Sequence, residues 1–253
     1  MNIKYFIYSG GEIYNKMAYK FNFDKDKCWY KKICEKYNTK ECTKRCIRYS
    51  EMDYLMYLSN IPKPRQQPFS LQPQKEDVEA FYFLKDIQDH INEFVANGEN
   101  LYIHSSNTGN GKTCWSIKLM QQYFNNVWYG NRFRCRGLFI FVPAFLNDVK
   151  KNINNPSFEF NDFVKRINVA DLVIWDDIGA NKLSDFDYTQ LLSYIDQRKL
   201  NFKSNIYTGN LNREQLLDYV GTRLTSRIWN DSIKVELVGI DRRDDFGTTS
   251  NSK

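Results

Sequence analysis

The sequence predicts an α/β fold, a parallel sheet flanked by helices, preceded by a small cysteine-containing segment. Three observations carry this. From about residue 77 onward, short apolar runs of strand type alternate with amphipathic stretches of helix length, the pattern of strand–helix–strand units covered on both faces. One such run, Leu101-Tyr-Ile-His104, passes through a turn rich in Gly, Asn and Ser into a helix opened by Lys112 and Thr113. Another, Leu172-Val-Ile-Trp-Asp-Asp177, ends in two adjacent carboxylates.

The 253 residues suffice for one domain of ordinary size and a smaller one. Hydrophobic residues make up 42%, enough for a packed core. No apolar run reaches the ~18 residues that a membrane helix needs. Met1 to Tyr8 is too short an apolar opening, with too polar a continuation, for a secretory signal. A soluble cytoplasmic protein with no membrane partner is expected, and richness in Lys, Asn, Tyr, Phe and Ile fits an AT-rich bacterium or its phage. Residues 1–78 carry 15 Lys and Arg against 9 Asp and Glu, whereas the rest of the chain holds 21 of each. The whole net charge of +6 therefore lies in the N-terminal third, where nucleic acid or an acidic protein could meet it, or where it is simply solvated.

Taken in order, residues 1–58 form the first unit. Cys28, Cys34, Cys42 and Cys46 are separated by five, seven and three residues. Clustered thiols in a reducing compartment point to a metal more than to disulfides, and Zn²⁺ held by four thiolates would staple a segment too small to build its own core. The gaps are looser than the usual pair of two-residue spacings, so buried or free thiols and an iron–sulfur cluster stay open as alternatives. Residues 59–76 hold four prolines and four glutamines and read as an extended linker. Residues 77–253 form the second unit. Its first helix, about Asp77 to Asn97, has apolar residues at helical spacing and ends at Gly98.

After the Leu101 strand comes Ser106-Asn-Thr-Gly-Asn-Gly-Lys-Thr113, close to the phosphate-loop pattern G-x-x-x-x-G-K-[ST]. Gly109 and Gly111 let the backbone approach a polyphosphate, with Asn107, Thr108 and Asn110 between and before them. Lys112 supplies a point charge on the terminal phosphates, and the Thr113 hydroxyl a place on Mg²⁺. The helix from Cys114 to about Tyr123 puts its positive dipole end behind them. Ser106 stands where the pattern has its first glycine. The next strands are Leu138 to Val142, Asp171 to Asp177 and Asn205 to Thr208. They are separated by helices at Ala144–Lys151 and about Phe186–Leu200, and followed by helices at Arg213–Tyr219 and Thr222–Trp229 and a last strand, Ile233 to Val238. Alone, Asp176 and Asp177 would pass for a loop cap. At the C-terminal end of a buried strand some 65 residues beyond Lys112, they read as a Mg²⁺ site (Asp176) and a residue orienting the attacking water (Asp177).

The series SNTGNGKT, LVIWDDIGA, YTGN and RLTSRI resembles the AAA+ helicase-loader ATPases, the DnaC/DnaI group with its phage members, over roughly residues 77–245. The transposition helper ATPases share most of it. The resemblance implies a P-loop NTPase that binds ATP and Mg²⁺, hydrolyses ATP slowly, and is stimulated by DNA or a partner. It implies a replicative helicase hexamer as partner, gripped by the N-terminal segment, single-stranded DNA as a second, and self-assembly through the ATPase domain. It makes Asn210 the polar sensor of the γ-phosphate and Arg227 the arginine finger, a role Arg223 would share from the same helix face. Arg242 or Arg243 would be the second sensor. Asp177 stands where many AAA+ proteins carry Glu. Two other readings stand beside this one: a transposition helper or initiator that binds DNA directly, and a nucleotide-gated helicase inhibitor with negligible hydrolysis. Within the ATPase part, Arg132-Phe-Arg-Cys-Arg136 is the candidate DNA contact.

Overall fold

The computed structural model describes residues 19, 21–130 and 134–241. Arg242, Arg243 and Arg132 lie outside them. The chain runs α1 (Ile47–Leu58), α2 (Val78–Asp89), α3 (Ile91–Ala96), β1 (Asn100–His104), α4 (Lys112–Val127), β2 (Gly137–Phe141) and α5 (Val142–Lys151). It continues through α6 (Phe158–Val169), β3 (Leu172–Asp176), α7 (Asp185–Leu200), β4 (Ser204–Gly209), α8 (Arg213–Val220), α9 (Thr222–Thr225), a π turn at Ser226–Asn230 and β5 (Ile233–Glu236). The five strands are all parallel, in the order β2-β3-β4-β1-β5.

Successive strand side chains point to opposite faces, and both faces are covered. Leu101, Ile103, Leu172, Ile174 and Ile206 meet Leu84, Ile91, Trp115, Leu119 and Phe124 of α2 to α4 in one core. Tyr102, Leu138, Val173, Trp175 and Tyr207 meet Phe145, Ile167, Leu191, Ile195 and Leu216 of α5 to α8 in the other. The strands end together at one edge, where the loops after β1, β3 and β4 converge. At the opposite edge the buried Arg198 ties the entering loops together. It donates to the carbonyls of Ile167 at 2.6 Å, Ala170 at 2.9 Å and Ser204 at 2.6 Å, and to Asn205 Oδ1 at 2.7 Å.

Three elements differ from expectation. The helix expected over 77–97 is two helices, α2 and α3, interrupted at His90. Helix α6 was not anticipated; Ser157 caps it, its hydroxyl accepting from Phe160 N. The stretch 222–229, expected as one helix, is a four-residue helix passing into the wider π turn.

Helix α1 packs on the sheet domain. Met52, Leu55 and Met56 lie in the first core with Tyr30 and Ile61, and Tyr54 and Leu58 lie in the second. Residues 59–76, expected as an extended linker, run along the same domain. Ser59 O accepts Phe139 N at 2.7 Å and Asn60 Nδ2 donates to Phe139 O at 3.1 Å, so the open edge of β2 is covered at this point. Further on, Lys118 Nζ donates to Phe69 O at 2.9 Å and Gln121 Nε2 to Arg65 O at 3.1 Å.

Candidate active site

The loop between β1 and α4 turns on glycine. Gly109 and Gly111 have φ of +72° and +104°, the left-handed region that glycine enters without penalty. A Cβ at Gly109 would fall 1.7 Å from Asp241 Oδ1, so the loop is also closely overlain there. Side chains brace the remainder. Ser105, fully buried, accepts Asn107 N at 3.0 Å and a hydrogen bond from Asn110 Nδ2, which also donates to Leu237 O at 3.0 Å. Asn107 Nδ2 donates to the carbonyls of Val238 at 3.2 Å and Gly239 at 3.3 Å, tying the loop to the chain leaving β5. That chain is held in turn by the buried Asp77, whose carboxylate accepts Val238 N at 2.6 Å and Gly239 N at 3.0 Å. Lys112 Nζ donates to Asn107 O at 2.7 Å and to Asn110 Oδ1 at 3.2 Å, so its charge is folded back over the loop. Ser106 is exposed, while Cys114 is half-buried in the first turn of α4.

The two carboxylates sit beside this loop. Thr113 Oγ1 donates to Asp176 Oδ1 at 2.8 Å, and Thr208 Oγ1 donates to the same oxygen at 2.7 Å. Burial pushes the Asp176 carboxyl above the ordinary range; the two hydroxyls oppose the shift and the neighbouring Asp177 adds to it. Asp177 N donates to Thr208 Oγ1 at 3.0 Å, and Asp177 has φ of +61°, a conformation an Asp tolerates better than most residues. Asn210, just past β4, has its Oδ1 buried without a hydrogen-bond partner. His104, at the end of β1, lies against Tyr102 and Trp229 with ring centroids 5.2 Å away in both cases. Burial lowers its pKa, an effect opposed by Glu236 and assisted by Lys112.

The fold therefore brings the loop residues, Lys112, Thr113, Asp176, Asp177 and Asn210 to one edge of the sheet. A hydroxyl–carboxylate pair at the head of a helix, below a glycine turn, suits a polyphosphate with a divalent cation: Thr113 and Asp176 would hold the ion, and loop N–H groups and Lys112 the phosphates. Arg223 and Arg227 are elsewhere, paired with Asp196 on α7. Sequence reasoning missed Thr208, Ser105 and Asp77. Thr208 offered only its place at the end of an apolar strand.

The zinc expectation is unsupported. Cys28, Cys34 and Cys42 are half-buried and Cys46 exposed, all four as free thiols, and among the described residues no group of three or more His, Cys, Asp or Glu is arranged to hold a metal. The thiols are neighbours nonetheless: burial pushes the Cys28 thiol up, and the charges of Cys46, Cys34 and Cys42 push it further. Lys25, Lys27, Lys31, Lys32, Lys44 and Arg45 around them are exposed. No helix among the described residues is long and apolar enough to cross a membrane.

No family model matches the chain, and no curated protein matches it in sequence. Solved structures do share its fold. The DnaC helicase loader is similar at a TM-score of 0.57 and 18% identity, over 66% of this chain and 93% of that one. DnaI is similar at 0.53 and 18%, over 70% and 95%. The replication initiator DnaA bound to AMPPCP and single-stranded DNA is similar at 0.52 and 16%, over 72% of this chain and 55% of that one. The parallel five-stranded sheet flanked by helices is thus a fold that these structures share.

Proposed function

We propose that this protein is an ATPase of replication initiation, a helicase loader that binds a replicative helicase hexamer and delivers it onto single-stranded DNA. The observation that carries the nucleotide part is the Thr113–Asp176 hydrogen bond beneath the glycine turn, which joins the two Mg²⁺-binding positions of a P-loop ATPase across 63 residues of sequence. The bound Mg²⁺–ATP supplies the phosphoryl group for transfer to water. Lys112 and the loop N–H groups hold its phosphates, Asp177 orients the water, Asn210 donates its side-chain amide N–H toward the γ-phosphate, and Arg242 or Arg243 acts as second sensor. Arg227, with Arg223 beside it, serves the nucleotide of a neighbouring copy. The exposed basic face around Lys31, Lys32, Lys44 and Arg45 docks the helicase. What supports the helicase as partner is the similarity of fold to DnaC and DnaI, each matched over nearly its whole length.

The test uses the full chain with a replicative hexameric helicase and a closed circular single strand. ATP-dependent transfer of the helicase to the circle, lost in Lys112→Ala, is the expected result. Similarity to DnaA favours a second reading, an initiator that binds DNA directly. Tight DNA binding without helicase capture would establish that reading in place of the first.

A further inference from the structure

Two arginines one helical turn apart converge on one carboxylate. Arg227 Nε lies 2.7 Å from Asp196 Oδ1, and Arg223 Nη2 lies 3.6 Å from Asp196 Oδ2. Arg227 Nη1 has a second partner, Asp231 Oδ2, at 3.5 Å. The side chains of Arg227, Asp196 and Asp231 are 26%, 27% and 28% exposed, whereas that of Arg223 is 67% exposed. Arg227 is therefore held, and Arg223 reaches outward.

The position of this cluster in the fold says which nucleotide it can serve. Asp231 O accepts Asn100 Nδ2, so Asp231 lies beside the first residue of β1, at the sheet edge opposite the phosphate loop. Five strand residues at about 3.3 Å each separate that edge from the loop by roughly 15 Å. Held there, Arg227 is turned away from the site of its own chain. It sits in the π turn, a winding that recurs at functional sites, and Trp229 of the same turn rests against His104, one residue before Ser105 of the loop.

We propose that Asp196 is a positioning residue that keeps Arg227 on its own subunit and yields it to the polyphosphate bound by a neighbouring copy of this chain. The inference rests on the reading of Arg227 as a residue acting in trans. Carboxylate and phosphate compete for the same guanidinium fork, and phosphate carries more charge for it. A partly exposed ion pair is weak enough to be exchanged when a neighbour docks, but it sets a threshold that docking has to exceed. Asp231 adds to that threshold from the other side of the guanidinium. Asp196 touches no nucleotide in this scheme, so its removal changes how readily copies engage and leaves the assembled site as it was.

The test measures ATP turnover of the full chain against protein concentration, with single-stranded DNA present. Asp196→Asn is expected to lower the half-activating concentration about 1.5- to 5-fold, the range of an exchangeable ion pair, with plateau turnover and KM for ATP unchanged. Asp196→Glu, which keeps the charge, should stay close to the unmodified chain. An unchanged midpoint, or a plateau lowered as by Arg227→Ala, overturns the proposal, because Asp196 would then be inert or would aim the arginine instead of restraining it. If Asp196→Asn does not fold, Asp231→Asn carries the test with a smaller shift of the same sign. The parent reading is checked separately. A mixture of Arg227→Ala and Lys112→Ala chains should regain turnover that neither has alone. Full turnover by Arg227→Ala alone would remove the trans role, whatever Asp196 does.

Discussion

Thr208→Val tests whether one hydroxyl sets both carboxylates of the site. Thr208 is 2% exposed, and valine keeps its shape while removing the oxygen. Two hydrogen bonds disappear: the one to Asp176 Oδ1 at 2.7 Å and the one from Asp177 N at 3.0 Å. A hydrogen bond to an ionised group contributes about 1.5–3 kcal/mol, and leaving a buried N–H unpaired costs about 1–3 kcal/mol. The two share an atom and are not independent, so a loss of about 3–5 kcal/mol is expected in place of the full sum. At about 2–4 °C per kcal/mol for a chain of this size, Tm should fall by roughly 10 °C. Function should suffer more than folding. Without its tether the left-handed turn at Asp177 relaxes, and a displacement of about 1 Å at a reacting group can cost ~100-fold in turnover. Nucleotide binding through the loop should weaken far less. The assay pairs thermal unfolding with turnover at saturating Mg²⁺ and ATP, measured well below the lowered Tm, and Thr208→Ser should restore both. A Thr208→Val chain within about 2 °C and about twofold of the original, the range of an unremarkable surface change, would refute the argument.

Three further outcomes are expected. Arg198→Met orphans the carbonyls of Ile167, Ala170 and Ser204, and should destabilise the chain by about 3–5 kcal/mol in urea unfolding while leaving nucleotide affinity unchanged, because the network lies at the opposite edge. Burial pushes the Arg198 pKa down to about 9, which still leaves the cation charged at neutral pH. The raised pKa of Asp176 gives two pH trends of opposite use: its ionised form is disfavoured by folding, so its contribution to stability is lost as pH rises through the folded pKa. Mg²⁺-dependent nucleotide binding, which needs the ionised form, should instead decline as pH falls and begin to do so at a higher pH than for an ordinary carboxylate; binding titrations with and without EDTA separate the two. Lys112→Ala removes a cation bonded across the loop and should weaken ATP binding at least about tenfold in equilibrium titration, in line with the loss of a charge-assisted contact.

What the sequence made legible was local. Apolar runs announced all five strands, and glycines followed by Lys-Thr announced the loop, because each signal is complete within a dozen residues. Helix α6 carries the same kind of local signal, with Ser157 as cap and Phe160, Phe163 and Ile167 at helical spacing. Strand order was not legible. The insertion of β4 between β3 and β1 is what sets Thr208 beside Asp176, and a threonine closing an Asn-Ile-Tyr stretch carries no mark of that role. The cysteine segment shows a different limit. Its four thiols suggested a zinc staple on the premise that so short a segment has no core of its own, yet Met52, Leu55 and Met56 share the core of the sheet domain with Leu84 and Trp115. Burial is thus supplied by the neighbouring domain, and the physical need from which the staple was argued falls away. The missing glycine at Ser106 follows the same logic. A loop without its first glycine should be poorly held, but Ser105 and Asn110 anchor it from beneath to Leu237, and Asn107 to Val238 and Gly239. The bracing comes from the chain leaving β5, at Leu237, Val238 and Gly239, so loop and chain are held as one unit. Asp241 closes the loop from the same segment: its carboxylate lies where a Cβ at Gly109 would stand, and Thr108 Oγ1 donates to it at 3.4 Å.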